Sequence, residues 1–364
     1  MSDISANSFY RKKLEEKALT RRSFLRIFGF LGLAGGAGAT AAGCGLTDTP
    51  DKTVIRGTTM GTYFAVTYIP GDNTPAENDV RQRIEKRFAN INKCMSTFDE
   101  SSELSKFNRF RRTDTPFPVS AELLKVIKEA IRLNKFTNGA LDVTVGPLVN
   151  LWGFGPDGRP NKIPSAKAVR EAKERCGIHN LVVKDGALIK KTPELYVDLS
   201  AIAKGFGVDA IAQLLESLDI KRYLIDVGGE VRGNGAGTRG GPWRVAVERP
   251  VPEGDAAMDR VIHLVDTSVA TSGDYRNYYE ENGRRYSHTI DPTTGRPIRH
   301  NLASVTVMDE SCMTADGLAT GLDVMGPKKA QALAEKHNLP IVLIVKEGNT
   351  FREIPSTAWK KAMR

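Results

Sequence analysis

The chain has little of what several common chemistries require. Only four of its 364 residues are cysteine (Cys44, Cys94, Cys176 and Cys312), and they are widely scattered. With no C-x-x-C pair and no Cys/His cluster, neither a zinc centre nor a thioredoxin-type redox pair is expected. No G-x-x-x-x-G-K-[ST], G-x-S-x-G or H-E-x-x-H occurs. "GNGAG" (233–237) is not followed by a helix-forming stretch, so it reads as a turn and not as a phosphate cradle. Charge of one sign is also in short supply. The net charge of +9 is inflated by the first 43 residues, which hold seven Lys/Arg and three Asp/Glu; subtracting them leaves 45 basic against 40 acidic, or +5. That balance, with no basic block interleaved with aromatics, argues against a nucleic-acid partner. What is left is an ordinary composition, 40% hydrophobic, with enough length for one large domain or two coupled ones.

Long apolar runs are scarce. The uncharged stretch 27–43 has 17 residues and a Gly/Ala-rich second half, short and weak for a membrane span. It follows "TRRSFLR" (20–26) and precedes Cys44, the order of a twin-arginine export signal over residues 1–43. Such signals serve a system that carries proteins across a membrane already folded. "AAGC" resembles a lipoprotein box, with Ala41 where leucine is favoured, and would make Cys44 the lipid-bearing first residue. The competing cleavage, at Ala39-Thr40-Ala41, would release a soluble protein. The lipoprotein reading is preferred because "CGLTDTPD" then supplies a polar tether (44–54). Either way the folded part is expected outside the cytoplasm, on the periplasmic face of the inner membrane if lipid-anchored. The other three cysteines are expected to be mostly buried thiols.

Present instead are clear periodic segments. Residues 63–69 alternate as a strand, and 77–95 place Val80, Ile84, Phe88, Ile91 and Met95 on one helix face. Further helices are expected from the N-cap Ser120 to Gly139, after Ser165, over 201–218 and over 316–337. "RYLIDVGG", "WRVAVERP", "VIHLVD" and "ASVTVMD" read as strands, and "PIVLIVKEGNTFREI" as a hairpin. Strands and helices do not alternate regularly, so the expected class is α+β and not a doubly wound parallel sheet.

Seven polar or glycine-rich blocks stand out: "RGTTMGTYF" (56–64), "STFDESSELSKFN" (96–108), "GALDVTVGPLVNLWGFGP" (139–156), "VDLSAIAKGF" (197–206), "DVGGEVRGNG" (226–235), "TSGDYRNYYEENGRRYSHTIDPTTGRPI" (271–298) and "TADGLATGLDVMG" (314–326). In the last, Asp316 and Thr320 lie four residues apart and stack on one helix face among small neighbours. In order and content these blocks resemble the ApbE family, the FAD:protein FMN transferases, over about residues 55–355, leaving 356–364 as a tail. The resemblance implies an α+β fold with a flavin site between two closely coupled subdomains.

It also implies a reaction. FAD is the substrate, its FMN portion is esterified through phosphate to a Thr or Ser of a target protein, and AMP departs. Mg²⁺ would be held by Asp316, Thr320 and the carbonyl of Ala201, three hard oxygens that leave room for water and substrate phosphate. Flavin and adenosine contacts fall on Met60, Phe98, Asp99, Glu100, Ala140, Leu141, Asp142, Asp198, Lys204 and Ile290. Met60 and Ile290 suit the flat ring, and the two aspartates suit N–H and hydroxyl groups, the plainer alternative being that Asp142 and Asp198 cap helices. Lys204 stands where some relatives carry an acid, so its contact is expected to be phosphate. His288 is the expected proton handler, with Asp291 either orienting it or starting the "DPTTG" turn. His179, His263, His300 and His337 are expected at the surface or in packing, and Asp323 facing water. The implied partners are flavin-bearing subunits of membrane electron-transfer complexes. A flavin-storage lipoprotein and a Mg²⁺-dependent FAD pyrophosphatase are the alternatives.

Overall fold

Alternation in "TVIRGTTMGTYFAVTY" produces the first hairpin. Strand Thr53–Thr59 pairs antiparallel with Thr62–Tyr68, and Ile55, Phe64, Val66 and Tyr68 point inward. The two-residue turn is Met60-Gly61, with φ of +49° and +71°. A left-handed Gly is ordinary in such a turn, whereas a left-handed methionine is strained and marks a position worth attention. The computed structural model describes residues 51–155, 163–248, 258–273, 278–281, 284–348 and 350–363. The export signal, Cys44 and most of the tether therefore lie outside the described residues. Thr49–Arg364 form one compact unit.

The hairpin opens an eight-stranded sheet that continues through Tyr223–Val227, Glu230–Asn234, Thr267–Gly273, Leu302–Asp309, Ile341–Glu347 and Thr350–Pro355. Every neighbouring pair is antiparallel. These strands lie side by side in chain order, with helices inserted between some of them, which is the α+β arrangement the sequence implied. Trp243–Glu248 and Met258–Leu264 make a separate two-stranded ribbon, as do Tyr278–Glu281 and Arg284–Ser287.

One face of the sheet carries the main apolar core, covered by helices Glu77–Met95, Ala121–Phe136, Ala203–Ser217 and Cys312–Met325. The helix 77–95 buries the expected stripe, Val80, Ile84, Phe88, Ile91 and Met95. Helices Ala121–Phe136 and Ala166–Glu174 start from Ser120 and Ser165, each accepting a backbone N–H three residues on. Among the described residues no helix is long and apolar enough to cross a membrane.

Two expectations change. The single helix over 316–337 is two, Cys312–Met325 and Pro327–His337, because Gly326 turns left-handed at φ +74° and Pro327 starts the next helix. The C-terminal tail carries a helix, Thr357–Ala362, capped by Ser356 and anchored by a fully buried Trp359.

Candidate active site

The helix Cys312–Met325 packs tightly because its small residues permit it. A Cβ added at Gly317 would stand 2.5 Å from Leu133, and one at Gly321 would stand 2.8 Å from Thr137. A Cβ at Gly205, on the neighbouring helix Ala203–Ser217, would stand 2.3 Å from the Cys312 carbonyl oxygen and 2.8 Å from Asp316 Cβ. These glycines bring the two helices close enough for the Gly205 N–H to donate to Asp316 Oδ2 at 2.9 Å. The other Asp316 oxygen, Oδ1, faces the Lys204 ammonium at 3.6 Å. Lys204 makes its close contact elsewhere, to Glu230 Oε1 at 2.8 Å. One turn beyond Asp316, Thr320 shares a hydrogen bond with the Ser272 hydroxyl at 3.0 Å.

Burial sets the electrostatics of this corner. It pushes the Asp316 carboxyl above its ordinary value, although Lys204 and the Gly205 N–H pull the other way. Burial pushes Glu230 up to about 8, with Lys204 opposing and Asp316 adding. For Lys204, burial disfavours the ammonium, but the carboxylates of Asp316 and Glu230 outweigh it and raise its pKa.

The Met60 turn sits against the helix Ala203–Ser217. Met60 Sδ lies 3.3 Å from where a Cβ on Gly207 would be, and Thr62 fills the space beside Gly228. Tyr63 donates to Asp226 Oδ2 at 3.2 Å, and the Gly229 N–H donates to Asp226 Oδ1 at 2.9 Å. Asn92 donates to Thr59 at 3.2 Å, linking the end of helix 77–95, and the loop that follows it, to this turn.

Three of the expected contact loops share one local device. Asp99, Asp142 and Asp198 each offer Oδ1 to both the backbone N–H and the hydroxyl of the residue two positions on, namely Ser101, Thr144 and Ser200. These are Asx-type turns, not helix caps: the N-caps of the helices that follow Asp142 and Asp198 are Val145 and Ile202, neither with a side-chain cap bond. The Asp142 and Asp198 loops adjoin, since the Asp198 N–H donates to the Val143 carbonyl at 2.8 Å. Just before Asp142, Ala140 is half-buried while Leu141 is buried in the main core, its N–H donating to the Thr137 hydroxyl at 3.0 Å and its carbonyl accepting from the Asn134 amide at 2.7 Å. Phe98 is 62% exposed, a large apolar side chain left at the surface beside Asp99 and Glu100. Ala201 lies on the turn leading into the helix of Lys204 and Gly205.

His288 follows the ribbon strand Arg284–Ser287, edge-on to Phe154 at 6.3 Å between centroids. Its neighbours fasten it. Ser287 accepts the Thr289 N–H, and the Thr289 hydroxyl donates to Asp323 Oδ2 at 3.3 Å. Asp323, expected to face water, is fully buried; its register on the helix, one turn past Thr320, turns it towards the His288 segment. Asp291 accepts the Thr293 N–H and so serves the turn. Ile290 is buried in a satellite core with Trp152 and Tyr286, which leaves little of it for a ring contact. Cys94, Cys176 and Cys312 are buried free thiols, as expected.

The sequence missed Glu230, Ser272 and Asp209. The first two lie inside blocks singled out for composition, but nothing local marked them as partners of Lys204 and Thr320. Among the described residues no cluster of three or more His, Cys, Asp or Glu side chains could hold a metal ion. The Asp316 corner is of another kind, one carboxylate with neutral oxygens. Its oxygens are hard donors of the kind a divalent cation takes, while the Lys204 ammonium, 3.6 Å from Asp316 Oδ1, opposes a cation at that oxygen.

Comparison with known proteins finds relatives over most of the chain. The chain is 48% identical over 320 residues to the FAD:protein FMN transferase of Vibrio cholerae, covering 88% of this chain and 94% of the relative. It is 47% identical over 312 residues to that of Haemophilus influenzae, covering 84% and 90%. The solved flavin transferase ApbE from Vibrio cholerae superposes with a TM-score of 0.81 at 46% identity, covering 85% of this chain and 99% of that one. The apo flavinyl transferase ApbE of Pseudomonas stutzeri does so at 0.80 and 36% identity, covering 86% and 97%. The fold is that of the solved flavin transferases. A sequence profile of the ApbE family matches residues 60–343, and the chain belongs to that family.

Proposed function

We propose that the protein transfers the FMN portion of FAD to a Thr or Ser hydroxyl of a target flavoprotein, through a phosphoester bond, with release of AMP. The observation that carries this reading is the two-helix corner. Buried Asp316 and, one turn on, Thr320 stand on a helix whose next turn fastens the His288 segment through Asp323 and Thr289. The carboxylate corner and the segment that carries His288 are thereby fastened to one helix.

The acceptor oxygen attacks the phosphorus that carries the riboflavin portion. A P–O bond forms there, the bridging bond to the AMP phosphate breaks, and its electron pair leaves with AMP. The hydroxyl proton passes to the His288 imidazole. Asp316, Thr320 and the Ala201 carbonyl are the groups that would hold Mg²⁺, which neutralises phosphate-oxygen charge when bound. Lys204 adds a fixed positive charge beside the same corner. On this reading the flavin and adenosine contacts fall to Met60, Phe98–Glu100, Ala140–Asp142, Asp198 and Ile290. The twin-arginine pattern and Cys44 support an exported enzyme, lipid-anchored at the periplasmic face or soluble if cut after Ala41. There it would meet flavin-bearing subunits of membrane electron-transfer complexes.

Intact mass spectrometry tests the reading. The chain is incubated with FAD, Mg²⁺ and a target domain bearing an acceptor threonine, beside an Asp316→Ala control. A target heavier by FMN less one water, AMP in solution and a silent control are expected. FAD cleaved with no target modified would indicate a pyrophosphatase, and FAD bound but uncut would indicate storage.

A further inference from the structure

We infer that Glu230 is a positioning residue for the cation corner: its carboxylate holds the Lys204 ammonium off Asp316, leaving Asp316 Oδ1 open to a divalent cation. The inference rests on the reading of Asp316 as a cation ligand. Two buried carboxylates here share one ammonium. At 2.8 Å the Lys204–Glu230 contact is a direct charge-assisted hydrogen bond, whereas at 3.6 Å Asp316 keeps an ion pair with the ammonium but no hydrogen bond.

Among the described residues Glu230 has no other polar partner for its side chain. Its side chain is only 4% exposed, its Oε1 meets Lys204, and its Oε2 has no hydrogen-bond partner among the described residues. A carboxylate buried with half its acceptors idle is costly, and among the described residues it caps no helix and bonds no backbone group. Its placement is specific. Gly228 and Gly229, at φ +65° and +108°, reverse the chain after Val227, and Glu230 begins the next strand facing inward. A Cβ at Gly228 would stand 2.7 Å from Thr62 Cγ2, so this turn is also wedged against the Met60 hairpin.

The physical consequence is a competition. Without Glu230, attraction in a poorly hydrated site would draw the ammonium onto Asp316, and an arriving cation would have to displace it. With Glu230 in place, the ammonium already has its partner. Glu230 therefore acts through Lys204, and that dependence separates positioning from direct ligation.

The test uses the full chain and Mn²⁺ alone as probe, with bound and free ion read by electron paramagnetic resonance. The set is wild type, Glu230→Gln, Lys204→Met, the double variant and Asp316→Asn, with circular dichroism to verify folding. Glu230→Gln is expected to weaken Mn²⁺ binding about tenfold or more, the range for loss of a residue that orients a metal ligand. In the Lys204→Met background the same change is expected to matter less than about twofold. An equal loss in both backgrounds would mean that Glu230 acts on the ion directly, and would overturn the inference. So would wild-type affinity in Glu230→Gln. Asp316→Asn separates the two levels. If it loses Mn²⁺ while Glu230→Gln does not, only the positioning role fails; if it binds like wild type, the cation corner and this inference fall together. Should Glu230→Gln not fold, Glu230→Asp replaces it, with weakening expected only where Lys204 is present.

Discussion

The Asp209 carboxylate caps a helix to which it does not belong. Its Oδ1 accepts the Cys312 N–H at 3.0 Å, and its Oδ2 accepts the Met313 N–H at 3.0 Å and the Ser311 hydroxyl at 2.8 Å. The first N–H groups of a helix lack intrahelical partners, and a negative charge there is favourable. Arg232 ties the same carboxylate to strand Glu230–Asn234 at 3.2 Å. The helix of Asp316 and Thr320 thus hangs from the helix of Lys204 and Gly205, and the two halves of the corner share one anchor.

Asp209→Ala should therefore cost both stability and activity. It leaves two buried N–H groups and part of Arg232 without an acceptor, so a loss of about 3 kcal/mol is expected in urea denaturation. Transfer by the remaining folded enzyme should also drop. Unchanged stability would show that Ser311, which accepts the Thr314 N–H, caps the helix sufficiently alone.

Gly205→Ala probes the close approach of the two helices. The new methyl would meet the Cys312 carbonyl and Asp316 Cβ, neither of which is the far end of a flexible chain. Forced separation is expected to lower stability by about 1–3 kcal/mol and to stretch the Gly205–Asp316 hydrogen bond. Differential scanning calorimetry and the transfer rate measure the two effects, and a variant equal to wild type in both would mean that the helices slide apart freely.

His288→Ala isolates the proton-transfer role. A fall of roughly 10²–10⁴-fold in the transfer rate is expected, with FAD affinity, read by flavin fluorescence, nearly unchanged. If affinity and rate fell together, His288 would be a binding group instead.

A pH dependence should arise far from the site, at Lys190. Its ammonium is fully buried, donating to the Asn108 and Leu195 carbonyls at 2.9 and 2.7 Å and lying over the Phe107 ring. Burial lowers its pKa from 10.5 to about 8, with Arg111 adding and Glu194 opposing. Between those values the unfolded chain binds more protons than the folded one, so this group makes stability rise with pH there and contributes no slope below about pH 7. The difference in unfolding free energy between wild type and Lys190→Met should change by about 3 kcal/mol across that window. Urea titrations at several pH values measure it, and a pH-independent difference would mean that Lys190 keeps its ordinary pKa.

Much of this was legible without coordinates. The helix 77–95 was read to its ends because its stripe repeats within a few residues, and Ser120 and Ser165 announced their helices because capping is local. Asp316 and Thr320 were readable as stacked oxygens for the same reason. The Gly326-Pro327 pair, also local, carried the signal for the helix break that the reading of one helix over 316–337 passed over.

The sequence by itself thus determined the elements, the glycine-rich blocks and which residue types could do chemistry, because periodicity, capping and turn preference act over a few residues. Only the tertiary structure decided that Asp323 is buried against Thr289, that Glu230 rather than Asp316 takes the Lys204 ammonium at bonding distance, and that Asp209 caps a helix about a hundred residues away. The worth of a buried charge depends on which distant group removes its contact with water, and chain spacing carries no record of that partner.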